Sequence, residues 1–471
     1  MLTYTLSSLP SVPLYEQLYT LLKRDIVNGV IPAGEKLPSR RAFARNLGVS
    51  SITVENAYNR LIDEGYLFSE PKRGFFTADI LPPREAPAPA AHPEIRLPQE
   101  RAEEMLDLSG NRASSSLFPF SVWAHLLRDV INDKGEALLL PSPCGGVPEL
   151  REAIARHLAS FRGMQADPDQ IIIGAGTEYL YGLLIQLLGK DKVFCLEDPG
   201  YGKIAQIYDS HGAVSRWAPM DDAGISIAGL EAAGADIAHI SPTHHFPTGI
   251  SMPICRRHEL LAWANAAPDR FIVEDDYDSE FRLNGRPLPS LQSIDAGGRV
   301  IYMNTFSKSL ASTVRISYMV LPPALANRYY EKLSFYSCTV STFEQYTLAR
   351  FIADGYFEKH INRMRLHYAR LRKQILAVIA ASGCASSLSV VERDSGLHFL
   401  LKVATDLSDA AFTAALREKN TSLVPLSAYY RDPAKAPEHM FLLNYSSISA
   451  EDVEMALREI EPLCGKGGMP Q

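Results

Sequence analysis

Apolar residues recur at helical spacing near the start of the chain, where Tyr15, Leu18, Leu21, Leu22 and Ile26 share one face and Gly29 follows in a turn. The spacing predicts a first helix that ends there. Ser39 is placed to cap a second helix that carries Ala42, Phe43 and Leu47 and stops at Gly48. Ser50 is placed to cap a third, with Val54, Ala57, Leu61 and Ile62 inside and Gly65 at its end. Helix, short glycine turn, helix is the helix-turn-helix pattern. Residues 66–78 add two short strands around Pro71-Lys72-Arg73-Gly74, which predicts a winged version.

The pattern then changes. Ile171-Ile172-Ile173, Val193 to Leu196, Ile237 to Ile240, Phe271 to Val273, Val300 to Met303 and Ser317 to Val320 are short apolar runs, several separated by helix-length segments. Such alternation predicts an α/β body with a mostly parallel, doubly wound sheet and a smaller α+β subdomain. Ligands of such sheets gather beyond the strand C-terminal ends, which directs attention to the residues just after each run. Between the two patterns, residues 81–99 alternate Pro and Ala with almost no large apolar side chain, the composition of an extended linker. The expected division is a DNA-binding head over 1–78, a linker over 79–104 and a body over 105–471.

Composition narrows the class. The 471 residues suit two or three domains, and 46% hydrophobic with 21% charged residues is globular usage, which excludes a disordered or fibrous chain. Six scattered cysteines without a C-x-x-C pair indicate neither a disulfide scaffold nor a metal site. The N-terminus lacks the basic-then-apolar order of a signal peptide, and no run of eighteen apolar residues occurs, so a cytoplasmic protein without membrane contact is expected. Net charge is −7, yet residues 1–78 hold nine Lys/Arg against seven acids, so the head stands at +2 and the remainder at −9. The direction suits a nucleic-acid-binding head on an acidic body.

In a helix-turn-helix the second helix of the motif enters the major groove, while Arg and Lys around it hold phosphates. Here its leading edge is Ser50, Ser51 and Thr53, with Asn56 and Arg60 further along. Arg40 and Arg41 precede it, and Lys72 and Arg73 sit on the wing. Any one of these arginines could simply solvate a helix face; the constellation argues for double-stranded DNA.

In the body, Thr305-Phe306-Ser307-Lys308 follows directly on a predicted strand, which puts Lys308 at a strand C-terminal end. Asp275 ends another strand. Gly176-Thr177-Glu178 opens a helix after Ile171-Ile172-Ile173, and helix N-terminal N–H groups favour anions. Thr305, Ser307 and Arg315 add hydroxyls and a positive charge. A pyridoxal phosphate site needs this combination: an amine for a Schiff base, an acid for the pyridinium nitrogen and donors for a phosphate.

The head resembles the GntR family of winged helix-turn-helix repressors, through Gly34-Glu35-Lys36-Leu37-Pro38-Ser39-Arg40-Arg41, the turn Leu47-Gly48-Val49-Ser50 and Gly65-Tyr66-Leu67. The resemblance implies DNA contacts from Arg41, Ser50, Ser51 and Thr53 and a wing turn at Gly74. Ser51 stands where some members carry Arg. Residues 105 to 462 resemble the type I aminotransferase fold, and the whole chain is similar to the MocR/GabR subfamily of GntR regulators. What this implies is that Lys308 is the Schiff-base lysine, Asp275 the partner of the pyridine nitrogen and Tyr277 a donor to the 3′-oxygen. Tyr201 would stack on the ring, and Arg315 would clamp the phosphate with Thr177, Thr305 and Ser307.

Pro242 to Gly249 matches the Pro-Thr-Gly loop of these enzymes, with Phe246 where they place Asn, so a polar contact from this loop falls to His245. Aminotransferases hold the substrate carboxylate with a late Arg, and Met440 to Tyr445 has none. Arg431 and Lys203 are the candidates for an effector anion. The expectation is a homodimeric, pyridoxal-phosphate-dependent regulator of an operator. It would sense the cofactor itself, as regulators of vitamin B6 synthesis or salvage do, or an amino compound that forms an external aldimine with it. The alternatives are an active aminotransferase with a fused head and a DNA-binding protein with an inert body.

Overall fold

The computed structural model describes residues 2–7, 12–80, 105–111, 114–282, 288–391 and 396–465. The linker expected over 79–104 lies, from residue 81 onward, outside the described residues. The chain divides into two compact units, Met1–Glu100 and Arg101–Gln471.

Among the described residues the first unit has three helices, α1 (Leu14–Val27), α2 (Arg40–Leu47) and α3 (Ser51–Asp63), followed by β1 (Leu67–Glu70) and β2 (Gly74–Thr77). Both predicted caps form: Ser39 Oγ accepts from the Ala42 N–H at 3.3 Å and Ser50 Oγ from the Thr53 N–H at 3.1 Å. Gly48 ends α2 at φ 67°, a left-handed conformation that costs a residue with a Cβ about 1–2 kcal/mol. The helical stripes meet in one core of Leu18, Leu22, Phe43, Val54, Ala57, Tyr58 and Leu61. β1 and β2 pair antiparallel with Leu67 opposite Thr77 and Glu70 opposite Gly74, which is the predicted wing.

The second unit is built on an eight-stranded sheet of β3 (Ile171–Gly174), β4 (Val193–Asp198), β5 (Val214–Asp221), β6 (Gly224–Ile225), β7 (Ile237–Ile240), β8 (Phe271–Asp275), β9 (Val300–Thr305) and β10 (Ser317–Val320). Their spatial order is β3-β10-β9-β8-β7-β4-β5-β6. The run β5-β4-β7-β8-β9 is parallel. β10 is antiparallel to both its neighbours, so β3 again points the same way as the parallel run. All six predicted strands are present. The sequence reading missed β5, whose alternately exposed pattern and polar residues (VSRWAPMD) hide it among the continuous apolar runs.

Alternation along a strand explains why the inner strands are apolar throughout. Ile172 faces one core with Phe194, Val273, Ile301 and Met319, while Ile171 and Ile173 face a second with Tyr302 and Tyr318. A smaller four-stranded antiparallel sheet of β11 (Leu388–Val391), β12 (His398–Val403), β13 (Val424–Pro425) and β14 (Met440–Asn444), in the order β11-β12-β14-β13, forms the expected subdomain. The long helix Tyr356–Ala381 covers it with Met364, Tyr368, Leu371 and Ile375.

Because β3, β4, β7, β8 and β9 share one direction, Gly174, Asp198, Ile240, Asp275 and Thr305 end at the same edge of the sheet. The residues that follow them meet there.

Candidate functional site

One cavity at that edge is lined by Thr177, Glu178, Tyr201, Lys203, His245, Asp275, Tyr277, Thr305, Ser307, Lys308 and Arg315, eleven of the thirteen body residues singled out from the sequence. Gly176 and Arg431 lie outside the lining, Gly176 directly against Arg315, which is part of it.

Lys308 sits in the short helix Phe306–Ser309, capped by Thr305, whose Oγ1 accepts from the Ser307 N–H at 3.2 Å. Its Nζ donates to the carbonyl of Asn111. Burial pulls the amine down to about 8, and the opposing pull of Asp278 does not restore it. At pH 7 roughly a tenth of it is then the unprotonated nucleophile, against less than a thousandth for an ordinary lysine.

Asp275 ends β8 and is buried. Tyr181 donates to its Oδ2 at 2.5 Å and His239 Nε2 lies 3.4 Å from the same oxygen, while Oδ1 has no partner among the described residues. A buried carboxylate oxygen without a donor is costly unless a ligand supplies one. A protonated ring nitrogen would.

The anion end is built at the start of the helix Thr177–Leu188, whose first-turn N–H groups have no carbonyl of the helix to bond. Gly176 has φ 92°, and a Cβ there would lie 2.5 Å from Arg315 Nη2, so only glycine lets the guanidinium rest on this turn. Two expected phosphate donors are occupied within the fold. Ser307 Oγ donates to the Val314 carbonyl at 3.0 Å, and Thr305 Oγ1 caps its turn while accepting from Ser317 Oγ at 2.8 Å. This leaves the helix N-terminus, Thr177, whose side chain also bonds Tyr181, and Arg315, 3.7 Å from Glu178, as the groups nearest to an anion.

Tyr201 is half-exposed over the cavity with Phe246 edge-on at 6.0 Å. Tyr277 Oη lies 3.3 Å from His244 Nδ1, which itself pairs with Asp278 at 2.8 Å. His245 is buried against Thr248 at 2.8 Å, and burial pushes its imidazole down to about 3, so it is neutral. Glu197 lies 3.5 Å from it and is pushed up to about 8 by burial, then by Asp275.

The two candidates for an effector anion are placed differently. Arg431 is exposed and is tied through its backbone N–H to Asp198 at 2.9 Å. Lys203 lines the cavity but is engaged with Glu178 at 2.5 Å. On the subdomain side Asn444, at the end of β14, donates to Asn111 Oδ1 at 3.2 Å. Asn111, Tyr181, His239 and Glu197 were not foreseen. A histidine inside the apolar run Ile-Ala-His-Ile was the one readable signal among them.

In the head, Arg41, Ser51 and Lys72 are exposed, and among the described residues Arg41 and Lys72 make no ion pair. Lys72 and Gly74 shape the wing turn at φ 64° and 118°. Three of the cations named from the sequence also pair within the head. Arg40 pairs with Glu55 and covers the Phe75 ring, and Arg73 pairs with Glu70. Arg60 pins α3 to α1 through Glu16 at 3.2 Å and the Tyr19 ring at 4.2 Å. Ser50 and Thr53 share a hydroxyl contact at 2.8 Å in the cap of α3.

Two family models match the chain: bacterial regulatory proteins of the gntR family over residues 14–77, and aminotransferase class I and II over residues 103–460. Relatives align end to end. An uncharacterized HTH-type transcriptional regulator, YdeL of Bacillus subtilis (strain 168), is 36% identical over 96% of both chains. The probable rhizopine catabolism regulatory protein MocR of Rhizobium meliloti is 31% identical over 95% of this chain and 93% of its own. The pyridoxine biosynthesis regulator PdxR of Corynebacterium glutamicum is 28% identical over 96% of both. Among solved structures, a Pyrococcus horikoshii kynurenine aminotransferase superposes at a TM-score of 0.67 and 24% identity, over 76% of this chain and 90% of that one, a likeness of fold.

Proposed function

The chain belongs to the aminotransferase class I and II family with a gntR-family head, a helix-turn-helix transcriptional regulator, and from that premise we propose that its body binds pyridoxal phosphate and sets operator binding by the occupancy of that site. The observation that carries the reading is the convergence of a buried, lowered-pKa amine at Lys308, a carboxylate oxygen of Asp275 with no partner among the described residues and an anion cradle at Gly176–Arg315 on one cavity.

The residues fit the cofactor. Asp275 Oδ1 would accept from the ring nitrogen, with Tyr181 fixing the other oxygen. Tyr277 would donate to the 3′-oxygen and Tyr201 cover the ring face. Arg315, Thr177 and the helix N-terminus would hold the phosphate. Bound pyridoxal phosphate supplies an aldehyde that condenses with primary amines and a ring that withdraws electrons. Lys308 supplies the amine in its unprotonated form, and its hydrogen bond to the Asn111 carbonyl ties it to the segment Leu106–Asn111. That segment is a strand partner of the small subdomain through Thr421–Ser422. Filling the cavity and engaging Lys308 would therefore bear on the position of the subdomain, a route from ligand to body conformation.

Efficient transamination is not part of this reading. Asn444 and Asn111 offer an amide pair beside Lys308, where a carboxylate would need a fixed cation. The functional unit is taken as a homodimer, matching an operator of two half-sites. Side chains such as Leu139 and Phe335, each three-quarters exposed, are ones a partner would cover.

The test is an operator titration with DNA flanking the gene, using protein with and without pyridoxal phosphate. A coupling of about 1–3 kcal/mol, roughly 5- to 150-fold in affinity, is expected. Identical affinities would remove the sensing role.

A further inference from the structure

Glu178 is an acid at the one end of the cavity where an anion should bind. It is the second residue of the helix Thr177–Leu188, beside the free N–H groups of the first turn. Its Oε1 lies 2.5 Å from Lys203 Nζ and its Oε2 lies 3.7 Å from Arg315 Nη2. Lys203, Arg315 and Glu178 all line the same cavity as Lys308. The carboxylate thus sits between the two cations nearest the Gly176 turn and within the field of the helix terminus, the place and the partners that a phosphate would take.

We propose that Glu178 is an internal competitor for the phosphate cradle, an affinity-setting residue that keeps the site exchangeable and selects how strongly a phosphorylated aldehyde is held. This rests on the pyridoxal phosphate reading above. The electrostatics have a definite sign. A phosphate at the cradle meets Arg315 and Lys203, but each is already half-neutralised by Glu178, and the incoming dianion is also repelled by the carboxylate itself. A sensor whose site is saturated at all cofactor concentrations reports nothing. An acid in the cradle moves its half-saturation point upward without altering the groups that recognise the ring. Because all three side chains are about half exposed, solvent and salt screen the effect. About tenfold in affinity is the expected size.

Three further consequences separate this role from a structural one. The effect belongs to the phosphate, so it should be absent for pyridoxal, which lacks it. It is electrostatic, so it should shrink as salt rises. Glu178 also sits favourably at a helix N-terminus, so removing it should lower the melting temperature of the cofactor-free protein slightly while raising phosphate affinity. A residue that only supported the fold would move both in the same direction.

The experiment titrates full-length cofactor-free protein with pyridoxal phosphate, pyridoxal and inorganic phosphate, following visible absorbance for the aldehydes and heat for phosphate. Wild type is compared with Glu178→Gln, Glu178→Ala, Lys203→Met and the double variant Glu178→Gln/Lys203→Met. Expected are about tenfold tighter pyridoxal phosphate binding in both Glu178 variants, unchanged pyridoxal binding, and weaker phosphate binding in Lys203→Met, where Arg315 alone is left to oppose the carboxylate. The double variant should return to near wild type. Unchanged or weaker pyridoxal phosphate binding in the folded Glu178 variants would overturn the proposal, as would equal gains for pyridoxal. Failure of wild type to bind pyridoxal phosphate at all would instead remove the reading on which it rests, and the two failures are distinguished by the wild-type titration alone.

Discussion

Tyr181 donates its phenolic hydrogen to Oδ2 of Asp275 at 2.5 Å, and Oδ1 of the same buried carboxylate has no partner among the described residues. Burial, reinforced by Asp275, holds the phenol far above its ordinary pKa, so Tyr181 remains a donor at every pH the protein survives. One oxygen is fixed and the other is directed at the cavity. Asp275→Asn should weaken pyridoxal phosphate about 10- to 100-fold, the loss of one charge-assisted hydrogen bond of roughly 1.5–3 kcal/mol. Tyr181→Phe should retain the cofactor more weakly and lower unfolding free energy by about 1–3 kcal/mol, since it strips a buried acceptor of its donor. Absorbance titrations and denaturant melts read the two effects, and wild-type binding by Asp275→Asn would refute the assignment.

Lys308 gives a pH signature. Burial lowers its pKa from 10.5 to about 8, so the nucleophilic form grows as pH rises toward 8 and changes little beyond it. The rate of covalent attachment of pyridoxal phosphate should rise close to tenfold per pH unit from 6 to about 7.5 and then level off. An exposed lysine would keep climbing to pH 10. Borohydride should fix the cofactor to wild type and not to Lys308→Ala, which stopped-flow absorbance and peptide mapping would show.

The wing and helix positions split into two classes once the structure is known. Arg41 is exposed and without an ion pair among the described residues, whereas Arg40 is engaged with Glu55. Arg41→Ala should weaken binding to all DNA sequences alike and lower the slope of log affinity against log salt by about one, as expected for one phosphate contact. Arg40→Ala should change stability by less than about 1 kcal/mol, since the pair is exposed, and leave the salt slope alone. Ser50→Ala should cost about 1 kcal/mol of head stability through its cap. Fluorescence anisotropy across a salt series distinguishes these outcomes, and an unaltered slope for Arg41→Ala would exclude its phosphate contact.

The head was legible because its signals are local. Capping serines, glycine stops and helical stripes each act within a turn or two, and α2 and α3 begin directly after Ser39 and Ser50. The inner strands were legible because burial on both faces makes them uniformly apolar. β5 was not, since Arg216 and Asp221 stand at exposed positions along it and Ser215 at a half-buried one, which breaks the apolar run. In the site, Lys308 and Asp275 could be found from strand ends, but Asn111 reaches Lys308 across 197 residues of sequence and Tyr181 reaches Asp275 across 94. Contacts between such distant segments leave no periodic trace. For the same reason Arg40 and Arg60 read as surface cations although Glu55 and Glu16, 15 and 44 residues away, hold them.

A second pH dependence concerns the fold. His157 is buried, stacked on Phe161 at 5.3 Å and edge-on to Phe357 at 5.1 Å, and burial pushes it down to about 4. Its folded pKa lies below the unfolded value near 6.5, so the unfolded chain binds a proton first. The stability this residue contributes is complete above about pH 6.5 and is lost as pH falls toward 4, by up to about 3 kcal/mol. His157→Gln should therefore flatten the decline in melting temperature between pH 6.5 and 4, though it lowers stability at pH 7. Parallel pH profiles for the two proteins would show that His157 does not titrate on unfolding.

The last prediction separates a sensor from an enzyme. Amino-group transfer needs the substrate held so that its Cα–H bond stands perpendicular to the cofactor plane, and an error of about 1 Å costs roughly a hundredfold. Here the carboxylate side of Lys308 carries the Asn111–Asn444 amide pair, Arg431 is turned out to solvent, and Lys203 is engaged with Glu178. Common amino acids should then be transferred at well under one per second, the low end of ordinary enzymes. Asn444→Arg, by contrast, would bury a cation beside Asn111. It should raise turnover of α-amino acids measurably, if the chain tolerates the desolvated charge, and thermal melts report whether it does. The assay incubates cofactor-loaded wild type and variant with amino donors and 2-oxo acids, quantifies products by chromatography, and runs operator titrations on the same preparations. Wild-type turnover above one per second together with equal operator affinity with and without cofactor would mean that the body is an enzyme and the head its passenger.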